Sequence, residues 1–287
     1  MPEMPMEAAI IYESHLPDAL RRALIHAGDD GFVASMPQLL HARVGASFDN
    51  IIWNTWFTAN SEECVARTPQ GNWVMVAIHG GGIFASPERI RTLYHANVDR
   101  GSELGFTGIF AARISERENR DIVEGRLPDG RQIPVFDFNA FKQGIDGLPR
   151  HYAVVMDLDV AKNAHTGYVG FDDLKDDPMM IVRAGGVEQA AAYLDKARTR
   201  GNTGTIGSWH SFNEMKADQP QSCICVMYGS PAGARARIYA PQGINHLRGV
   251  QTDFGLRGDT GMINMGRYVA VAPHDVSTSV RHLSFGA

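Results

Sequence analysis

The chain has 287 residues, 44% hydrophobic and 21% charged, an ordinary globular composition that leaves room for one large core or two small ones. Its 27 Lys plus Arg against 32 Asp plus Glu give a formal charge of -5, so no basic excess draws the whole molecule to nucleic acid or anionic lipid, and a small-molecule ligand is the expected partner. Three cysteines, Cys64, Cys223 and Cys225, form no zinc-type pair, and no stretch reaches the roughly 18 apolar residues of a membrane span, so a soluble, cytoplasmic chain without a membrane partner is expected.

In chain order, Ala8 to Tyr12 reads as a short strand and Pro17 to Ala27 as a helix, with Leu20, Ala23, Leu24 and Ala27 at helical spacing and Gly28 closing it. Ser35 as N-cap with Pro37 in the first turn starts a second helix that runs toward Arg43. From Asn50 the period changes. Ile51 to Thr58 and Cys64 to Thr68 read as strands, and the turn from Thr68 to Asn72 leads into the apolar run Trp73 to Ile78, an antiparallel meander. At the end of that run His79 meets Gly80, Gly81 and Gly82, and Ser86-Pro87-Glu88 opens a helix with the stripe Ile90, Leu93, Tyr94 and Val98. Ser115 to Glu118 is a capping box for a helix that ends at Gly125.

Beyond it, Pro128-Asp129-Gly130 marks a hairpin turn and Gln132 to Phe138 a strand that Pro134 assigns to an edge. Tyr152 to Val160 is a further strand, on which period two puts Asp157 and Asp159 on one face. The polar stretch Asn163 to Pro178, with Asp172, Asp173, Asp176 and Asp177, reads as a loop or linker. Met179 to Arg183, Gly185-Gly186 and the helical stripe from Val187 to Ala197 read as a second strand, glycine and helix unit that echoes the first. Asn202 to Gln221 is irregular, Ser222 to Tyr228 is a strand with Cys223, Cys225 and Met227 on one face, and Ala236 to Ala240, Tyr268 to Ala272 and Val280 to Phe285 read as the remaining strands. The expected fold class is α+β or α/β: a mixed β-sheet with packed helices, including two strand-Gly-helix units, in a single globular domain over 1–287 with an internal division near 163–178.

The chemistry concentrates at two places. Glycines without a Cβ let a backbone approach a ligand closely, and the free N–H groups of a following helix favour an anion, so Gly80, Gly81, Gly82 and Ser86 are candidate ligand-binding residues. The second place is Ser208-Trp209-His210, where a hydroxyl, an aromatic ring and an imidazole share a loop. His79 at a strand end, Asp157 on a strand face and His210 in that loop are the candidate catalytic residues, on the expectation that they meet at one end of the sheet. His79-Gly80-Gly81-Gly82 resembles the HGGG oxyanion loop of lipases and esterases, whose backbone N–H groups stabilise a tetrahedral intermediate. The Gly-x-Ser-x-Gly elbow of that family is missing after it, so the α/β-hydrolase fold is not assigned.

No HExxH or His-x-His occurs, no metal site is assigned, and the sequence names no cofactor. The leading expectation is a hydrolytic enzyme acting on a small anionic or carbonyl-containing molecule at the glycine turn. The alternative is a non-catalytic ligand-binding or homo-oligomeric assembly subunit, in which the glycines serve only the turn.

Overall fold

A computed structural model describes residues 6–92, 112–200, 204–210, 212, 220–229, 254–260 and 265–273. Strand β1 (Met6–Glu13) pairs antiparallel with β12 (Gly266–Pro273), from Met6 opposite Pro273 to Glu13 opposite Gly266, and β2 (Phe32–Val33) lies on the far side of β12. Helix α1 (Leu16–Ala27) covers this small sheet because Leu16, Ala19, Leu20 and Ala23 share one face and pack with Tyr268 and Ala270.

The larger sheet is mixed. Its described strands run in the order β6 (Val135–Asp137), β7 (Tyr152–Asp157), β4 (Trp73–His79), β3 (Phe57–Arg67), β10 (Gln221–Gly229), β11 (Phe254–Thr260), β9 (Thr205–Trp209) and β8 (Gly167–Gly170), and β5 (Ala112–Arg113) pairs with the start of β10. The pairs β6 with β7 and β9 with β11 are parallel, and the other neighbours are antiparallel. Helices packed on a mixed sheet make the fold α+β. Alternation along the central strands splits their side chains between two cores: Met75, Ala77 and Val154 on one face, Val74, Val76, Ile78 and Ala153 on the other. The first core is closed by α2 (Met36–Gly45), α8 (Pro178–Ala184) and α9 (Val187–Arg200), the second by α1 and α5 (Glu116–Glu124).

Several helices begin where a cap demands it. The Ser35 N–H donates to Gln38 Oε1 at 2.8 Å, and Ser115 with Glu118 forms the same reciprocal box for α5. Asp137, Asp157 and Asp177 accept the N–H groups of Asn139, Asp159 and Met180, opening α6 (Phe138–Lys142), α7 (Leu158–Lys162) and α8. Asp177 is buried and also accepts the His165 N–H at 2.7 Å. Asp177→Ala is therefore expected to lower stability by about 1–2 kcal/mol. A urea midpoint equal to that of the parent protein would show that this cap carries nothing.

These caps explain where local reading of the sequence fails. Met179 to Arg183, expected as a strand, is helix α8: Asp177 caps it, Pro178 sits at its first position, and Gly185 ends it at φ 90°, so the second unit is helix, glycine, helix. The strand expected to continue to Val160 ends at Asp157, whose exposed carboxylate caps the following helix, and the two carboxylates do not share a strand face. Phe138 likewise belongs to α6 rather than to the preceding strand.

Ile51 to Asn54 forms the short helix α3 because Asn50 caps it, and Trp53 Nε1 donates to the Arg43 carbonyl at 3.0 Å, a tertiary contact that outweighs the β-propensity of the run. β3 then runs unbroken from Phe57 to Arg67, joining the end of the first expected strand to the second. Both stretches read as irregular contain strands, β8 within 163–178 and β9 within 202–221. The expected helix positions Leu93 to Gly101 and strands Ala236 to Ala240 and Val280 to Phe285 lie outside the described residues. Among the described residues no helix is long and apolar enough to cross a membrane.

Candidate functional site

Along β3 and β10 the register moves from Glu62 opposite Ile224 to Thr58 opposite Val226, so Ala59, Asn60 and Ser61 lie across from Cys225 alone. Such a bulge re-aims both main chain and side chains. The Asn60 carbonyl takes the Gly80 N–H at 2.8 Å, and Ser61 Oγ lies 2.8 Å from His79 Nδ1. Because a carbonyl can only accept, His79 Nε2, 3.1 Å from the Val182 oxygen, bears the proton, and Nδ1 accepts from the Ser61 hydroxyl. Ser61 Oγ in turn accepts the Met36 N–H at 2.9 Å, which ties the start of α2 to β3, β4 and α8.

Burial pushes His79 down to about 3; its bond to Val182 opposes the shift and the Arg183 charge adds to it. The imidazole is neutral at pH 7. Ser61 and His79 have the connectivity of a nucleophile and base, but both are buried and their hydrogen bonds run between elements of the core.

Next to this pair, Glu63 and Arg183 form a buried ion pair through two parallel bonds, Nε to Oε1 at 2.7 Å and Nη2 to Oε2 at 2.9 Å. Arg183 also donates to Ser208 Oγ at 3.1 Å and to the Trp209 carbonyl at 2.8 Å, which satisfies a planar fork from three sides. Burial opposes its charge, but the Glu63 carboxylate outweighs that and holds Arg183 protonated. Ser208 and the Trp209 main chain, both read from sequence as ligand contacts, are thus partners of Arg183. The Trp209 ring meets Tyr168 edge-on at 5.2 Å.

His210 Nε2 donates to the Ala164 carbonyl at 3.0 Å, and its ring stacks on Phe212. Burial lowers its pKa as well. Asp157 is exposed and lies opposite Val74, five residues along β4 from His79, which at about 3.4 Å per residue is roughly 17 Å. The sheet therefore brings His79 and His210 into the field of Arg183 and leaves Asp157 at the other end of the strand. Among the described residues no group of three or more His, Cys, Asp or Glu side chains could hold a metal ion.

The glycine turn is buried. Gly82 has φ 94°, and a Cβ there would overlap the Glu62 carboxylate, whose Oε2 accepts the Phe84 N–H at 3.2 Å. A carboxylate of the same chain thus takes a donor that an external anion would need. Gly81 packs against Leu127, and the Gly80 carbonyl accepts from His151. Ser86 Oγ accepts the Arg89 N–H at 3.3 Å and caps the helix described over 87–92 (α4).

An open groove of about 440 Å³ lies instead at the far end of the β3–β4 hairpin. It is lined by Thr68, Pro69 and Trp73 of the hairpin, by Glu116, Arg120 and Val123 of α5, and by Pro220. Asn119 fixes the helix to the strand edge like a one-residue strand, accepting the Arg67 N–H at 2.7 Å and donating to its carbonyl at 2.8 Å. The Arg67 guanidinium donates to the Gly71 carbonyl at 3.1 Å and lies over the Trp73 ring, 5.9 Å from its centre. Sequence reading treated these residues only as turn, strand and helix. The sole local trace is an exposed Arg67 at the end of an otherwise buried strand.

No protein-family model matches the sequence. No curated protein matches it either. Among solved structures, a chain described as "Accommodation of massive sequence variation in Nanoarchaeota by the C-type lectin fold" is similar over 92% of this chain and 97% of its own length, with 23% identity and a TM-score of 0.59. At that identity the likeness is one of fold: helices on a mixed sheet, in the C-type lectin arrangement.

Proposed function

We propose that this is a non-catalytic binding protein whose ligand lies in the groove between the β3–β4 turn and α5. The observation that carries this reading is the contrast in how side chains are employed. Ser61, Glu63, His79, Arg183 and Ser208 are buried and spend their hydrogen bonds on one another and on the main chain, whereas Arg67, Arg120 and Glu116 line an exposed groove beside Trp73. Polar groups already bonded in a core specify the fold; an aromatic ring with polar neighbours in a concave surface serves recognition.

The solved neighbour is described as accommodating massive sequence variation in the same fold. A core held apart from the exposed α5 side of the groove supports a similar division here, since Glu116 and Arg120 can change without disturbing the buried pairs. Cys64, Cys223 and Cys225, buried and in no disulfide, fit a reducing, cytoplasmic setting.

The test is a pair of glycan and peptide arrays probed with the parent protein and with Trp73→Ala. Loss of the parent protein's bound features in the variant, probed at a temperature where both proteins are folded, is the expected result. Features that survive the substitution place the ligand elsewhere.

A further inference from the structure

We infer that the groove takes an extended peptide segment in which acidic and apolar side chains alternate; this rests on the binding reading above and names its ligand class. The charge argument comes first. The whole chain carries -5, yet the groove is lined by Arg67 and Arg120 against the single carboxylate of Glu116. Arg113 flanks it, since β5 pairs with Gln221 and Ser222 next to Pro220.

Among the described residues Arg113 and Arg120 have no carboxylate partner, and Arg67 spends only its Nε, on Gly71. The stack on Trp73 and the Gly71 bond hold the Arg67 fork in one orientation. A fork fixed in this way offers a bidentate carboxylate site at little further entropic cost.

The walls select against other anions. A nucleic-acid strand carries a phosphate on every nucleotide, and Glu116 inside the groove repels a uniformly charged chain. Pro69, Pro220, Val123 and the Trp73 ring need apolar side chains to cover them. A segment that alternates carboxylate and aliphatic residues meets both demands. The strand edge at Arg67 is already closed by Asn119, so recognition runs through side chains rather than by adding a strand to the sheet.

The experiment is fluorescence anisotropy with three labelled ten-residue probes: alternating Glu and Leu, alternating Lys and Leu, and oligothymidylate. Proteins are the parent chain, Arg67→Gln/Arg120→Gln and Trp73→Ala, each measured well below its own melting temperature, since Trp73 also packs on the core. The Glu–Leu probe is expected to bind the parent and to lose about tenfold or more in affinity in the double variant and on raising salt from about 50 to 500 mM. Failure of the Glu–Leu probe to bind, affinity unchanged in the double variant, or equal capture of oligothymidylate overturns the acidic-peptide class. Binding of the Lys–Leu probe that only Trp73→Ala removes keeps the groove and overturns its ligand class. Binding indifferent to Trp73→Ala removes both.

Discussion

Replacing Arg183 by methionine is expected to destabilise the protein by about 3–5 kcal/mol, the largest single effect among the variants considered, because it strands the Glu63 carboxylate in the core. Glu63 is 1% exposed and Arg183 0%, so neither can reach water when its partner is lost. The substitution also removes the Arg183 bonds to Ser208 Oγ and the Trp209 carbonyl, which loosens β9 against α8 and breaks its link through Glu63 to β3. The double variant Glu63→Leu/Arg183→Met removes both charges and is expected to recover most of the loss, since an apolar pair of similar volume avoids the desolvation of two ions. Chemical denaturation of the three variants checks this. A loss below about 1 kcal/mol in the single variant, or a double variant no better than it, would mean that the pair is not sealed from solvent as its bonding implies.

Acid is expected to act through His79. In the unfolded chain the imidazole titrates near 6.5 and in the folded protein at about 3, so between those values the unfolded chain holds a proton that the folded protein does not. Stability is then fully present above roughly pH 7.5 and is lost as pH falls toward about 3, because the unfolded state binds more protons. At pH 5 the difference of about 1.5 units corresponds to roughly 2 kcal/mol. His210 and His151, also lowered by burial, add in the same direction. His79→Gln can keep an acceptor for Ser61 and a donor for Val182 while removing the titration, so its stability should depend less steeply on pH over this range. Parallel profiles for parent and variant between pH 7.5 and 5 would assign the acid sensitivity to other groups.

The same residues show how far local chemistry reaches. Ser35, Ser115, the Thr68 to Asn72 turn and the alternation along Trp73 to His79 specify their elements from neighbours within a few positions, and each stands where the chain order implied. The helix at Pro178 was equally local: Asp177, Pro178 and Gly185 are its start and stop residues, but the apolar run between them is too short for its period to separate a helix from a buried strand. Gly81→Val, a natural probe of a ligand loop, becomes a packing variant once Leu127 is seen against that glycine.

By itself, the sequence determined a mixed sheet with packed helices, α+β or α/β, together with the Ser35 and Ser115 caps, the Thr68 to Asn72 turn and the alternation of the central strand, because these depend on contacts a few residues apart. Only the tertiary structure decided what the polar residues do. Glu63 and Arg183 are separated by 120 positions and Ser61 and His79 by 18, and whether a charge or an imidazole meets its partner in the core or a ligand at the surface depends on register and bulge, which no local pattern encodes. The groove is likewise a product of assembly. Arg67 and Trp73 already face each other across the β3–β4 hairpin, but Arg120 joins them only when Asn119 docks α5 on the edge of β3.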